Sequence, residues 1–225
     1  MVTYTPPLRD MRFVYHELLD GDALAEIAQY ADYTPDVIDA VLEEAGKITS
    51  EVLFPLNLSG DTEGCTLKNG VVYTPKGFKE AYGQFTQGGW TGLAAAPEFG
   101  GQGAPAALHF LVQEMICSTN MAFGMYPGLT EGAYNAINLH GSDKQKALYL
   151  PKFVEGTWSG TMCLTEPQCG TDLGLIRTKA GPQPDDSYKI TGTKIFISAG
   201  EHDLTENIVH LVLARLPDAP EGIKG

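Results

Sequence analysis

The chain has 225 residues, of which 43% are hydrophobic and 19% charged, and 28 acidic against 15 basic side chains leave a net charge of −13. So acidic a chain repels a nucleic-acid backbone, and so apolar a chain folds rather than staying disordered. The length allows one large domain or two small ones, and no apolar run approaches the ~18 residues needed to cross a bilayer.

The opening, Met1 to Asp10, has neither a basic start nor an apolar leader, so a soluble cytoplasmic protein is expected. Met11, Val14, Tyr15, Leu18 and Leu19 recur at helical spacing, and Asp20-Gly21-Asp22 restarts a short helix at Ala23. Thr34-Pro35 then announces a long helix, with Val37, Ile38, Val41, Leu42, Ala45, Ile48, Val52, Leu53 and Leu56 on one stripe. Asn69-Gly70 before Val71-Val72-Tyr73 predicts a small hairpin, and Thr74-Pro75 a cap for a helix carrying Phe78, Ala81, Tyr82 and Phe85. Pro105 to Phe123 reads as a buried helix with Leu108, Leu111, Val112, Met115 and Ile116 inward. Two further helices are predicted, Leu129 to Leu139 and Asp143 to Val154, the second capped by Ser142 and broken by Pro151.

From Trp158 the period changes. Thr161 to Leu164, Tyr188 to Ile190, Thr193 to Ser198 and Ile208 to Leu213 are short β-rich runs, so a sheet region begins near Gly156. The expected class is α+β: a helical extension over 1–33, a helical domain over 34–156 and a sheet region over 157–225.

Gly100 to Gly103 lacks the third glycine of a dinucleotide loop, the Lys of a P-loop and a preceding strand, so it reads as a helix-to-helix corner. His202 and His210 have no third partner at ligand spacing and are expected at the surface, with no metal. Cys65, Cys117, Cys163 and Cys169 form no C-x-x-C pair and read as plain reduced thiols. Glu114, Glu131 and Glu166 sit in apolar or loop settings but read as solvated or capping groups, not as bases. The informative segment is Met162-Cys163-Leu164-Thr165-Glu166-Pro167-Gln168-Cys169-Gly170-Thr171-Asp172 together with Lys194-Ile195-Phe196-Ile197-Ser198-Ala199-Gly200. Hydroxyls, a rigid Pro and a glycine at strand ends suit a backbone that approaches a flat, polar-edged ligand.

Taken in order, P-x-x-x-G-G-x-G before a buried helix, H-G-S-x-x-Q-K-x-x-Y-L-P, C-L-T-E-P-x-x-G-T-D and K-x-F-I-S-A-G resemble the acyl-CoA dehydrogenase family over nearly the whole chain from Thr34. The opening Pro7-Leu8-Arg9-Asp10-Met11-Arg12-Phe13-Val14 is similar to the extension of a larger bacterial branch that includes the 3-(methylthio)propanoyl-CoA dehydrogenases.

The resemblance implies FAD-dependent α,β-desaturation of an acyl-CoA to its enoyl-CoA, an electron-transfer flavoprotein as acceptor, and a homodimer or higher homo-oligomer. It implies flavin contacts from Met162, Leu164, Thr165, Gly170, Thr171, Phe196, Ile197 and Ser198, with Thr171 also reaching the pantetheine arm. Tyr126 and Leu129 are implied to border the acyl pocket, and residues 157–225 to be part of a barrel-like β-domain that the chain does not complete. A C-terminal four-helix domain and the glutamate base are expected beyond residue 225, so residues 1–225 alone are expected to be poorly soluble, flavin-free and inactive. Met162, Phe196 and Ser198 stand where the family more often has an aromatic, Trp and Thr. An acyl-CoA oxidase, and a non-catalytic module docking through the apolar faces of Thr34 to Leu56 and Pro105 to Phe123, are the alternatives.

Overall fold

The structure, a computed structural model, describes residues 3–224. Its first half is helical. Helix α1, Leu8–Arg12, runs into a π-helical turn over Phe13–Leu18, burying Met11 and Tyr15. Leu18 and Leu19, predicted on the same stripe, are exposed, because the wider turn rotates them off the buried face. Asp20, in the left-handed region at φ 49°, then starts 3-10 turns over Gly21–Glu26 and Ala28–Tyr30, two residues ahead of the predicted restart at Ala23.

Helix α2, Pro35–Lys47, begins with Pro at its first position after an extended Thr34, although the Thr34 side chain makes no capping bond. A π-helical turn over Ile48–Leu53 joins it to α3, Pro55–Glu63, so the helical path continues past Leu56, although Val37 at the start of the predicted stripe is exposed, because it lies on the face turned away from the core. Thr49 Oγ1 donates to the Ala45 carbonyl at 2.6 Å and Phe54 N–H reaches back to the Thr49 carbonyl. That widening makes room ahead of Pro55, which has no N–H to give. The predicted hairpin pairs β1, Thr66–Lys68, with β2, Val71–Tyr73, through Asn69 and Gly70 at φ 53° and 81°. Thr74 does not cap α4, Phe78–Gln87, which starts after Gly77; its N–H and hydroxyl both go to Asp203.

Helix α5 runs from Ala106 to His140 as two segments meeting at Asn120, whose φ and ψ of −157° and 83° are not helical. Asn120 Oδ1 accepts the Phe123 N–H at 3.0 Å, as an N-cap does, while Nδ2 donates to the Leu53 carbonyl at 3.1 Å. The break falls there and not at Met125 to Gly128, so Pro127 and Gly128 lie inside a helix. Helix α6, Asp143–Val154, carries the predicted Ser142 cap as a capping box with Gln145. Pro151 does not break it, since only its last turn remains beyond that point. At Gly100 to Gly103 two backbones do touch: a Cβ on Gly101 would stand 2.1 Å from the Ala95 carbonyl oxygen.

Strand β3, Trp158–Cys163, pairs in parallel with β6, Asn207–Val212, from Trp158↔Asn207 to Cys163↔Val212. Strands β4, Lys179–Pro182, and β5, Tyr188–Thr191, form an antiparallel pair. The strand predicted over Thr193–Ser198 is absent, because Phe196 and Ala199 adopt positive φ of 58° and 51°, incompatible with a ladder. The architecture is α+β, and the described strands form three separate pairs rather than a closed barrel.

Two cores hold it together. Tyr15, Ile38, Leu42, Phe85, Leu108, Met115 and Phe123 fill the helical bundle; Ala133, Ile137, Leu150 and Phe153 join α5 and α6 to Trp158, Val209 and Leu211 of the sheet. The junction depends on a glycine. A Cβ on Gly160 of β3 would lie 2.4 Å from that of Ala133, and Gly160 N–H donates to Thr130 Oγ1 of α5. All four cysteines are free, Cys163 and Cys169 buried.

Candidate functional site

Along β3 the side chains of Thr161 and Cys163 are buried while Met162 between them is 45% exposed. Past the strand the chain turns through Glu166 to Cys169, which exchange backbone hydrogen bonds of 2.9 and 3.0 Å. Cys169 Sγ donates to the Asp172 carbonyl, and the Asp172 carboxylate accepts the Gly174 N–H, so the loop is closed on itself. The segment Lys194 to Gly200 lies against it, tied by the Ile195 N–H to the Thr165 carbonyl at 2.9 Å.

Glu166 organises this meeting and is no surface group, contrary to its reading as a solvated or capping side chain. It is 3% exposed. Its Oε1 accepts from Lys194 Nζ at 2.9 Å and Thr178 N–H at 3.0 Å; its Oε2 accepts from Arg177 N–H at 2.8 Å and Gln168 Nε2 at 2.6 Å. Lys194 Nζ also donates to the Leu164 carbonyl at 2.9 Å. Burial pushes the Glu166 carboxyl up, but Lys194 and the two backbone N–H groups outweigh it and hold the group well below the usual carboxylate range. The carboxylate is therefore ionised and fully occupied, unable to serve as a base.

Of the sequence-predicted flavin contacts, Leu164 and Thr165 are half-buried beside this pair, while Gly170, Thr171 and Ser198 are exposed. Phe196 is 88% exposed and Ile197 half-buried. Among the described residues the hydroxyls of Thr165, Thr171 and Ser198 make no hydrogen bond, and a Cβ on Gly170 would meet open space. Outward apolar surface at Met162 and Phe196, bordered by uncommitted hydroxyls, fits a flat ligand with a polar edge.

Tyr126 and Leu129 lie on α5. Tyr126 is half-buried, lines a cleft with Cys65, Phe78 and Ala122, and packs edge-on against His202 with ring centroids 5.0 Å apart. Burial, then the Cys65 thiol beside it, pushes its hydroxyl far up. Leu129 is half-buried one turn further on. Met125, Gly128 and Gly132 form an exposed strip of the same helix, and the glycines leave open space where a Cβ would stand.

His202 was expected at the surface but is 4% exposed. Its Nδ1 accepts the Leu204 N–H, so Nε2 carries the proton toward Ser159 Oγ, 3.0 Å away. Burial pushes its pKa down to about 4, leaving it neutral at pH 7. The reason lies in the next residue: Asp203, fixed to Thr74, pulls this segment onto the helical half. His210 is exposed and bonds Thr161 Oγ1. A separate small pocket is lined by Trp90, Pro127, Tyr134 and a His109–Glu131 pair at 2.9 Å. Among the described residues no three metal-ligating side chains cluster, and no helix is long and apolar enough to cross a membrane.

Sequence reasoning missed Glu166 and Lys194 as partners. Both stood in its motifs, yet nothing in spacing signals that residues 28 positions apart meet as a buried pair.

Residues 72–157 match the sequence model of the acyl-CoA dehydrogenase N-terminal domain. Over 224 residues the chain is 49% identical to the 3-methylmercaptopropionyl-CoA dehydrogenase of Ruegeria pomeroyi, covering all of this chain and 38% of that protein. It is 37% identical to a butyryl-CoA dehydrogenase of Syntrophomonas wolfei, over 99% of this chain and 37% of the relative. The chain thus spans well under half the length of these relatives. The solved butyryl-CoA dehydrogenase of Megasphaera elsdenii superposes with a TM-score of 0.66 at 27% identity, over 80% of this chain and 44% of that one. The chain belongs to the acyl-CoA dehydrogenase family, whose N-terminal-domain model it matches over residues 72–157.

Proposed function

We propose that the protein carrying these residues dehydrogenates an acyl-CoA thioester across its α,β-bond with FAD as the oxidant. Residues 34–156 act as the helical domain and 157–225 as part of the β-domain. The observation that carries this reading is the fixed apposition of the 162–171 and 194–200 segments, which presents Met162 and Phe196 outward beside unpaired hydroxyls. Bound FAD supplies the acceptor for the two electrons and the β-hydrogen that the acyl group loses.

Within this reading Met162, Leu164, Phe196 and Ile197 offer apolar contact and exclude water from the ring. Thr165 donates its hydroxyl to the polar pyrimidine edge, and Ser198 donates near the hydride-accepting nitrogen, where developing charge is stabilised. Gly170 lets the backbone approach closely, and Thr171 meets both the cofactor and the pantetheine arm. Tyr126 and Leu129 border the acyl group. No residue between 3 and 224 is assigned as the base that removes the α-proton. An electron-transfer flavoprotein as acceptor and a homodimeric or higher assembly belong to the same reading.

The test uses the full-length protein. It is expected to purify yellow, to bleach on anaerobic addition of an acyl-CoA, and to form the enoyl-CoA. A colourless protein that cannot be reconstituted with FAD would falsify the reading, and rapid peroxide formation on turnover in air would assign an oxidase instead.

A further inference from the structure

A buried ion pair is weak grounds for stability, since two well-packed apolar side chains often do as well. Glu166 and Lys194 have side chains only 3% and 8% exposed, and every polar contact of those side chains ends on one of three segments: 164–168, 177–178 or Lys194 itself. What the pair specifies is the relation between those segments. Thr165 follows Leu164, whose carbonyl Lys194 holds, and precedes Glu166; its own carbonyl takes the Ile195 N–H. Phe196 comes next, with a positive φ of 58° and 88% of its surface exposed. An aromatic residue in that backbone region is strained and persists where its surroundings over-determine it. Here the anchors are the two residues immediately before it.

We propose that Glu166 and Lys194 are positioning residues: their buried pair fixes the exposed Phe196 and the hydroxyl of Thr165 in the mutual placement that the cofactor meets. The inference rests on the flavin reading above. Neither side chain can touch the ligand, because both are buried and their polar atoms are committed, so they act only through Thr165 and Phe196.

The experiment compares full-length holoprotein with Glu166→Gln and Lys194→Arg, and with Ile38→Val in the remote helical core as a control. Glu166→Gln keeps the shape and removes the charge; Lys194→Arg keeps the charge and moves the donors. Each pair variant is expected to retain the parent's far-UV dichroism, to release FAD with a Kd raised about tenfold or more, and to shift the visible band and reduction potential of the flavin that stays bound. Ile38→Val should leave Kd, band and potential unchanged. Folded pair variants with the parent's Kd and spectrum overturn the proposal, and so does failure of both to fold, which would make the pair core structure. A parent that binds no FAD sinks the flavin reading itself, whereas a flavin-loaded parent with silent variants sinks the positioning role alone.

Discussion

Gly160→Ala tests the junction between sheet and helix. The new methyl would stand 2.4 Å from Ala133 Cβ and 3.5 Å from both the Thr130 Cα and the Phe153 ring. Carbon atoms rest at about 3.5–4.0 Å, so β3 and α5 must part by about 1 Å or more. Neither can yield by a rotamer change, since one contact is to a Cβ and another to a Cα, and the Gly160 N–H to Thr130 Oγ1 bond pins the crossing. Overpacking of this kind costs about 1–3 kcal/mol. Removing the opposing methyl with Ala133→Gly costs about 1 kcal/mol through helix propensity, yet it vacates the space the new methyl needs. In the full-length protein, thermal and urea unfolding of the two single variants and the double should therefore show a favourable coupling of about 1–2 kcal/mol. Strictly additive losses, or a Gly160→Ala protein as stable as the parent, would refute a direct methyl-to-methyl conflict.

Asn120→Ala leaves the buried Phe123 N–H and Leu53 carbonyl without partners, so it is expected to cost about 2–4 kcal/mol in unfolding measurements. Asn120→Asp, which keeps the cap oxygen but gives up the donor to Leu53, should fall between. His202 sets a pH dependence. Its folded pKa of about 4 lies below the ordinary 6.5, so the unfolded chain takes up the proton first. Stability is then full above pH 6.5 and lost as pH falls toward 4, by an amount approaching about 3 kcal/mol. Melting temperatures of parent and His202→Asn across that window should diverge, the variant changing less. Leu129→Trp is expected to move the kcat/KM profile of the full-length protein toward shorter acyl chains; an unchanged profile would place the acyl group elsewhere.

Local chemistry was readable where the physics is local. Asn69-Gly70 demands two positive φ angles and obtained a hairpin; Ser142 with Gln145 obtained its capping box. The apolar spacing of Ile38, Leu42 and Ala45, and of Leu108, Val112 and Met115, identified the buried faces. Errors arose where a distant partner overrode the local signal. Thr74 looked like a cap but is claimed by Asp203, and Thr193–Ser198 has β-rich composition but is broken by the positive φ of Phe196, two residues after the Lys194 that bonds Glu166. Asn120 carried a real N-cap signal that was hidden inside an apolar run, so the kink was placed too late. At the candidate site the motifs located the two loops, while the partnership that joins them was illegible because it is a contact of tertiary structure.

The parallel pairing of β3 with β6 also governs the order in which this molecule can assemble. Parallel neighbours cannot be joined by a tight turn, so the chain from Leu164 to Glu206 must be laid down before Cys163 and Val212 come opposite each other. Hydrogen bonds within a helix are local and quick to form; this pairing waits on closure of a long loop, which holds the Leu164–Thr171 and Lys194–Gly200 segments of the candidate site. The Leu213 amide, whose hydrogen bond to the Cys163 carbonyl crosses that closure, should gain exchange protection after the amides within α5 in pulse-labelled refolding. The surface that would receive a cofactor then takes shape only with that loop closed, and a cofactor that binds it would favour the closed chain over the open one.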